Sequence, residues 1–346
     1  MTSPIRRNVT DLLDGGYDKA AKQMLRAIGA ELQGGIIKQR LDELVAEAER
    51  LDAEGQRLRP DNPVMRALLA DMDSALDRNK QRMADATPQL TEAGVDASFD
   101  ISRTLTFSGG GSQLAQLQAQ FNRPDPQAVA ALVDFTNDPA WNQLLNSYKS
   151  DIIERLRLRA TFGFVSGWGA RRSARALRLL AVGMPAHEAE NITRTLHLVS
   201  YRRGTAATHV TNAHLLQPTA IRIAVLDPRT CLSCVALHGT KVPLGKPIAD
   251  HWRGRCTSIA QVRGFNRNIQ SGTDWFNSLS ETRQQQQRSF QQSPGAYDAF
   301  KAGAVTLNDF VHEFTDDLFG EMIQQASLKK ILGADAQNYY RRGRTE

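Results

Sequence analysis

The sequence is poor in cysteine and contains no long apolar run. Three cysteines in 346 residues are too few, and odd in number, for a disulfide scaffold, and this usage favours a reducing compartment. No segment approaches the roughly twenty apolar residues of a membrane span, and the first residues lack the apolar core of a secretory signal. With 41% hydrophobic residues, the composition therefore predicts a folded, non-membrane chain with a packed core.

A strong net charge is also absent. The 43 basic and 37 acidic side chains give a net charge of +6, which favours anionic partners only weakly at this length. The arginines are concentrated in a central group, a following pair and a C-terminal tail: Arg155, Arg157, Arg159, Arg171, Arg172, Arg175 and Arg178, then Arg202 and Arg203, then Arg341, Arg342 and Arg344. These clusters predict contact with DNA phosphates or an acidic partner protein, or else a solvated helix surface whose arginines pair with local acids.

Apolar residues recur at three- and four-residue spacing through most of the chain, which predicts a mainly helical fold. One such face runs from Tyr17 to Leu51, and Gly34-Gly35 is expected to break it. The segment Arg59 to Pro63 separates it from a second helix that is predicted to end near Pro88. Residues 1–96 are therefore predicted to form a helical hairpin region.

Four further regions follow along the sequence. Within residues 97–122, the part up to Ser112 alternates apolar and polar side chains and runs into three glycines at 109–111. They are predicted to be an extended, glycine-rich linker or an edge strand that can pair with a partner's sheet. Residues 123–217 are predicted to be a central helical region, 218–270 a β module that contains every cysteine, and 271–346 short helices followed by a basic tail.

All three cysteines lie in one short window together with a histidine, and this window is the main candidate site. Cys231 and Cys234 form a Cys-x-x-Cys pair, and His251 and Cys256 follow downstream. Two thiolates on one turn and a second ligand pair from a distant segment are typical of tetrahedral Zn²⁺ sites. The sequence therefore predicts a structural Zn²⁺ site formed by these four residues. The alternative is that the cysteines are buried and inert.

The segments that flank this window are rich in β-branched residues. Thr219 to Leu226 and Thr257 to Val262 are predicted to form short strands, and the glycines and prolines between them suit an irregular loop. The predicted fold class is thus mainly α with a small β module (α+β), in which helical hairpins accompany a β-hairpin region stapled by cysteine and histidine.

Two parts of the window carry a family resemblance. Residues 227–239 read Asp-Pro-Arg-Thr-Cys-Leu-Ser-Cys-Val-Ala-Leu-His-Gly, and residues 251–256 read His-Trp-Arg-Gly-Arg-Cys. Together they resemble the signature of the Mu F-like minor head proteins of tailed bacteriophages, which is approximately D-x-R-T-C-x-x-C-x-x-L-x-G, a loop, and H-P-N-C-R-C. Further similar stretches are residues 122–129, 202–212, 271–279, 297–303 and 305–310, so the resemblance covers about residues 120 to 333.

The chain departs from this signature at Gly254, which stands where the family has the first cysteine of its last pair. A metal site then needs Cys256 as its fourth ligand, or His238, which lies four residues after Cys234. A third alternative is a packed thiol cluster that holds no ion.

The resemblance implies a structural protein and not an enzyme: a minor head (capsid) protein of a tailed bacteriophage or prophage that acts in head morphogenesis. It implies binding to the portal protein in several copies per virion, with scaffold or major capsid protein and packaged DNA as further partners. The expected location is the virion, in the capsid interior or at the portal vertex, after assembly in the host cytoplasm. No membrane contact is expected while the protein is in the head.

Three other functions remain as alternatives. A DNA-contacting internal virion protein would use the arginine clusters and bind duplex with steep salt dependence. A Zn²⁺-dependent nuclease would use Asp250 and His251, and a cysteine hydrolase would use Cys231 or Cys234 with a nearby histidine. The close spacing argues against catalysis, because a nucleophile normally receives its base and orienting acid from elsewhere in the fold.

Overall fold

A computed structural model of the chain describes residues 3–108, 111–293 and 295–340, with side chains from residue 13 onward. Within these residues the fold is mainly α-helical with two small antiparallel sheets, which confirms the predicted fold class. Seven helices come first: α1 (Ser3–Gln33), α2 (Gly35–Ala53), α3 (Pro63–Phe107), α4 (Ser112–Gln118), α5 (Pro126–Leu132), α6 (Pro139–Val165) and α7 (Ala170–Thr211). None of the helices in these ranges is long and apolar enough to cross a membrane.

The strands and the short helices follow α7. Strands β1 (Leu216–Ile223), β2 (Lys241–Pro243) and β3 (Thr257–Val262) form an antiparallel sheet of order β2-β1-β3, and β4 (Val311–Asp316) pairs with β5 (Gly320–Gln325). The short helices are α8 (Leu232–Leu237), α9 (Gly272–Asn277), α10 (Glu281–Gln285), α11 (Arg288–Gln291), α12 (Ala296–Lys301), α13 (Leu328–Leu332) and α14 (Gln337–Tyr340), with 3₁₀ turns at Asn308–Phe310 and Gly333–Ala336.

The first two helix breaks lie where the sequence predicts them. α1 ends at Gln33 and α2 begins at Gly35, so the glycine pair interrupts the helix. α2 ends at Ala53, and α3 begins at Pro63, where the side chain of Asn62 accepts a hydrogen bond from the amide two residues later at 2.9 Å. A proline in the first turn costs no helical hydrogen bond, because that amide has no partner within the helix.

The predicted end of α3 is wrong. The helix passes through Pro88 and continues to Phe107, so residues 97–107 are helical and not extended. Gly109 and Gly110 lie outside the described residues, and α4 follows directly at Ser112.

Packing explains why the end of α3 is helical. Ile101 and Leu105 lie four residues apart, on one helical face, and are buried with Leu198 and Tyr201 of α7. Burial of this face outweighs the β-favouring composition of the segment. The side chains expected to join a partner's sheet therefore belong to the interior of this chain.

The compact units of the chain differ from the five consecutive regions predicted from the sequence. One unit consists of Met1–Gly16, Glu92–Val133 and Leu198–Glu346, and the other of Tyr17–Thr91 and Asp134–His197. Three of the four divisions fall inside α1, α3 and α7, so these helices contribute to both units, and the fourth lies between α5 and α6. A division inside a continuous helix has no turn or linker residues to mark it in the sequence.

The module that contains the cysteines is built on the β2-β1-β3 sheet and an aromatic core. Phe290 lies 6.0 Å from Phe276 and 6.1 Å from Phe310 between ring centroids, and these rings belong to one buried cluster with Cys234 and Cys256. The short helices predicted after residue 270 are present, whereas the β4–β5 hairpin was not predicted. The arginines of the C-terminal tail lie outside the described residues.

Two glycines of α7 have opposite surroundings, and we expect opposite effects from the same substitution. A Cβ at Gly204 would lie 3.1 Å from the Cβ of Ser98 and 3.3 Å from the Cα of Val95, whereas a Cβ at Gly183 would meet no atom of the described residues within 4 Å. Gly204→Ala should destabilise by about 1–3 kcal/mol through overpacking, and Gly183→Ala should stabilise by about 0.4–1 kcal/mol. Urea unfolding of both variants measures the change in the free energy of unfolding. Changes of the same sign in the two variants would contradict this prediction.

Candidate metal centre

The loop between β1 and α8 is held by Asp227. Its Oδ1 accepts hydrogen bonds from the Arg229 amide and the Thr230 hydroxyl, both at 3.0 Å. Its two carboxylate oxygens accept hydrogen bonds from Arg255 at 2.8 and 2.9 Å. Because Arg255 comes from the later segment of the motif, this bidentate pair connects the two segments that carry the candidate ligands. The Asp227 turn also places Cys231 at the start of α8.

The Cys-x-x-Cys pair occupies the first turn of α8. The Sγ of Cys231 accepts a hydrogen bond from the Cys234 amide at 3.4 Å and lies 3.1 Å from the Ser233 hydroxyl. Cys231 is partly exposed and Cys234 is buried. The turn therefore offers one accessible and one buried thiol.

The second segment is the turn from Asp250 to Cys256. The Gly254 amide donates to the His251 carbonyl at 2.8 Å. The Nδ1 of His251 lies 2.8 Å from the carbonyl oxygen of Trp252. Because a carbonyl oxygen only accepts, Nδ1 carries a hydrogen, and Nε2 is the nitrogen available to a metal.

Five side chains suited to metal binding converge where the two segments meet. Ligand atoms of Cys231, Cys234 and His251 lie within 4.8 Å of one another, and so do those of Cys234, Asp250 and Cys256. Thiolates, imidazoles and carboxylates all bind Zn²⁺, at about 2.0–2.3 Å. The structure therefore brings the four predicted residues together in two groups that share Cys234, and it adds Asp250. These residues are suited to binding a metal ion.

Asp250 is the charged centre of the site. Its Oδ2 lies 2.7 Å from Nη2 of Arg202, and its Oδ1 lies 3.4 Å from Nη2 of Arg222. The amides of His251 and Cys256 each donate to this carboxylate at 3.0 Å. All three charged side chains are buried, at 0% exposure for Asp250, 5% for Arg202 and 4% for Arg222. A buried carboxylate with this many donors orients the backbone that carries the candidate ligands.

The departure from the Mu F-like signature at Gly254 has a physical explanation. A Cβ at this position would overlap the carboxylate of Asp250. The Gly254 carbonyl also accepts a hydrogen bond from Arg202. A cysteine at position 254 and the buried Asp250 carboxylate therefore exclude each other, and Asp250 occupies the space that a cysteine there would need.

At Asp250 and His251, neighbouring charges affect the pKa more than burial does. Burial alone would raise the pKa of Asp250, but Arg202, His251 and Arg222 hold the pKa well below its usual range. Burial alone would lower the pKa of His251, but Asp250 and Cys231 raise the pKa to about 10. The carboxylate and the imidazolium are therefore the favoured forms of these two groups.

The two thiols of the Cys-x-x-Cys pair are shifted in opposite directions. The hydrogen bond from Cys234 and the neighbouring His251 lower the pKa of Cys231 well below the usual value, although burial opposes this. Hydrogen bonds to Cys231 and Cys256, and then burial, raise the pKa of Cys234. Cys231 and His251 thus favour a thiolate–imidazolium pair, in which Zn²⁺ would replace the proton of the imidazolium.

A cavity of about 370 Å³ lies beside the exposed side of the site. Cys231 and His251 line it, together with polar side chains that include Ser289, Gln292 and Gln325. The Oε1 of Gln325 also accepts a hydrogen bond from the Leu232 amide at 3.0 Å. An ion or small molecule can therefore reach Cys231 and His251 from this side.

Two residues named from the sequence have other roles. His238, the alternative fourth ligand, is buried, and its Nδ1 accepts a hydrogen bond from the Ala224 amide at 2.9 Å. It belongs to neither group of candidate ligands in the described part of the chain. For Arg202 the sequence left two alternatives open, contact with DNA or an acidic partner and pairing with an acid of this chain. In the structure Arg202 is buried and pairs with Asp250.

From the sequence, Asp250 is a candidate only under the nuclease alternative, and Arg222 is not identified as its partner. Arg222 does leave a signal, because it stands between Ile221 and Ile223 in a strand whose end is buried. A charged residue in such a position needs a buried partner of opposite sign.

Comparisons with models of protein families, with curated proteins and with solved structures found no match for this chain.

Proposed function

We propose that the chain is a structural minor head protein of a tailed bacteriophage or prophage, and that its cysteine–histidine centre holds Zn²⁺. The observation that carries the proposal is that the two halves of the Mu F-like motif meet in space, with Cys231, Cys234, His251, Cys256 and Asp250 as neighbouring ligands. The metal would connect α8 to the turn that leads into β3. Its role is to stabilise this module, and no catalytic role is assigned to it.

The ligand types at the site suit a divalent cation such as Zn²⁺. Thiolates at Cys231 and Cys234 would add negative charge beside Asp250, whose own charge already faces Arg202 and Arg222. A Zn²⁺ ion neutralises two thiolates, and Cys231 and Cys234 lie on one turn with His251 within reach. Cys256 and Asp250 are the two candidates for the fourth position.

The decisive measurement for the metal is zinc content by elemental mass spectrometry combined with thermal melting. We expect about one zinc per chain in the wild type, and loss of that zinc with a lower melting temperature in Cys231→Ser, because structural Zn²⁺ contributes its binding free energy to folding. Ser233→Ala, one turn position away, is the matched control and should keep the zinc.

The fourth ligand is identified by the same measurement on two further variants. Loss of zinc in Cys256→Ser would identify Cys256 as the fourth ligand. Loss of zinc in Asp250→Asn, together with retention of zinc in Cys256→Ser, would identify Asp250 instead. The proposed metal site would be contradicted if the wild-type protein contained no zinc and Cys231→Ser had an unchanged melting temperature.

The assignment to the phage head needs its own experiment. The virion proposal rests on the resemblance, and it names the portal protein as main partner, with scaffold, major capsid protein and packaged DNA as further ones. We expect mass spectrometry of purified particles to detect several copies of the chain per virion, and cross-linking to join it to the portal. Absence of the chain from both mature particles and precursor heads would contradict the proposal.

One observation favours a second candidate, a cysteine hydrolase. The ligand atoms of Cys231 and His251 lie within 4.8 Å of each other, and both residues line a polar cavity, an arrangement in which a thiol nucleophile and its base could reach a substrate. Iodoacetamide labelling separates the two candidates. A nucleophile would react rapidly at Cys231 whether or not Zn²⁺ has been supplied, whereas a structural Zn²⁺ ligand should be protected until a chelator is added.

A further inference from the structure

We propose that the turn between α6 and α7 is a docking site for an acidic amphipathic helix of a partner protein. The site, here called the α6–α7 patch, consists of Leu158, Phe162, Val165, Trp168, Arg172 and Arg175. It lies in the unit formed by Tyr17–Thr91 and Asp134–His197, and it is independent of the metal centre and of the function proposed above.

The patch begins with an exposed apolar stripe on α6. Leu158, Phe162 and Val165 are spaced by four and three residues, so they project from one face of the helix. They are 58%, 55% and 75% exposed, whereas most large apolar side chains of this protein are buried. Three neighbouring apolar side chains on one exposed face form a continuous surface, unlike scattered single residues that need no explanation.

Trp168 extends the stripe across the turn. Its ring lies 5.5 Å from the ring of Phe162 in an edge-to-face arrangement. The guanidinium groups of Arg159 and Arg172 lie over it, at 4.7 and 4.1 Å from the ring centroid. Aromatic residues and arginine are the side chains that dominate protein–protein interfaces.

The backbone of the turn holds this surface in one shape. α6 ends in a Schellman motif, in which the Trp168 amide donates to the Gly163 carbonyl at 2.9 Å and the Gly167 amide donates to the Phe164 carbonyl at 3.2 Å. Gly167 has the left-handed φ of 73° that this motif requires. A Cβ at Gly163 would be 3.3 Å from the Trp168 ring, so the ring is packed against the helix. A surface fixed in this way loses little entropy on binding.

The charge around the patch determines the kind of partner. From residue 155 to residue 186 the sequence has seven arginines and no Asp or Glu. Three of these arginines have acidic neighbours from other segments, at 3.4 Å for Arg171, 3.6 Å for Arg178 and 4.0 Å for Arg155. Within the described part of the chain, Arg172 and Arg175 form no ion pair. They are exposed and available to an acidic partner.

The aliphatic part of the patch favours protein over nucleic acid. Leu158 and Val165 gain free energy when a partner covers them with apolar side chains, and a phosphate backbone offers none. An amphipathic helix supplies a matching apolar stripe at i, i+3, i+4 and i+7, and acidic residues on its flanks would meet the arginines. These two features together identify the partner as an acidic amphipathic helix.

The test uses the full-length protein and a fluorescent 20-residue peptide with leucine at i, i+3, i+4 and i+7 and glutamate at the flanking positions. A peptide of the same composition in scrambled order, which has no apolar face, is the control ligand. We expect saturable binding of the first peptide by fluorescence anisotropy, with at least about tenfold weaker binding of the scrambled one.

Matched variants locate the binding site. Leu158→Ser combined with Val165→Ser should weaken binding about tenfold or more, and Arg175→Glu should weaken it by a similar factor. Leu132→Ser combined with Val210→Ser removes an exposed leucine and an exposed valine elsewhere, and it should leave the affinity unchanged.

Three results would overturn the proposal. The first is no binding of the facial peptide, or equal binding of the scrambled peptide, which would indicate unspecific charge attraction. The second is an equal loss of affinity in the matched control variant. The third is tight, salt-sensitive binding of a 20-base-pair DNA duplex that Arg175→Glu abolishes and the serine variants do not, which would identify the partner as nucleic acid.

Discussion

Replacing Asp250 with alanine is expected to destabilise the protein by about 3–5 kcal/mol, because two buried arginines would lose their shared carboxylate. Arg202 and Arg222 are 5% and 4% exposed and approach Asp250 at 2.7 and 3.4 Å. A guanidinium group in a protein stays charged, so a buried one is costly once its acidic partner is removed. Urea unfolding followed by tryptophan fluorescence measures the change in free energy of unfolding.

A surface ion pair provides the matched control. Asp96 and Arg123 approach at 2.9 Å with 59% and 52% of their side chains exposed, and Asp96→Ala should change the free energy of unfolding by no more than about 0.5 kcal/mol. Each comparison is made with and without a chelator, so that loss of metal is separated from loss of the ion pair. Equal effects of the two alanine variants would show that the buried network does not stabilise the fold.

Substitutions at Asp250 and Gly254 are expected to be energetically coupled. Gly254→Ala forces its new methyl group into the Asp250 carboxylate, and should therefore be strongly destabilising in the wild type. In the Asp250→Ala background the carboxylate is absent, and the same substitution should cost much less. The two positions should therefore show a coupling energy well above about 0.5 kcal/mol in a double-mutant cycle, the limit expected of independent sites.

Local sequence signals predicted those parts of the fold that depend on local physics. The glycine pair at 34–35 breaks a helix because glycine is a poor helix former, and the strand Thr257–Val262 follows from its β-branched composition. At Pro88 and residues 97–107 the structure differs from the prediction for the opposite reason. Their conformation depends on packing against α7, which lies far away in the sequence.

At the candidate site, too, some residues are predictable from local sequence and others only from the folded structure. Cysteine and histidine spacing identifies Cys231, Cys234, His251 and Cys256, since ligand chemistry is a property of residue type and position in the chain. Asp250 and Arg222 become part of the site only when β1 and the later turn are adjacent. An aspartate next to a histidine has many ordinary roles, so its burial between two arginines was not predictable from the sequence.

His209 is expected to make the protein less stable in mild acid. It lies on α7 with 1% exposure, and within the described residues its Nε2 has no hydrogen-bond partner. Burial lowers the pKa of His209 from 6.5 to about 4. Below pH 6.5 the unfolded chain therefore binds a proton that the folded chain does not, and the free energy of unfolding decreases as the pH falls from about 6.5 towards 4.

The size of this effect follows from the two pKa values. The full difference corresponds to about 3 kcal/mol, of which about 2 kcal/mol should be lost between pH 7.5 and pH 5. We expect His209→Leu to reduce the pH dependence of urea unfolding by this amount, because the variant has no group to protonate. His187→Leu removes an exposed histidine from the same helix and should retain the wild-type dependence. If both variants kept the full pH dependence, the acid sensitivity would have to arise from other groups, such as carboxylates that are paired in the folded state.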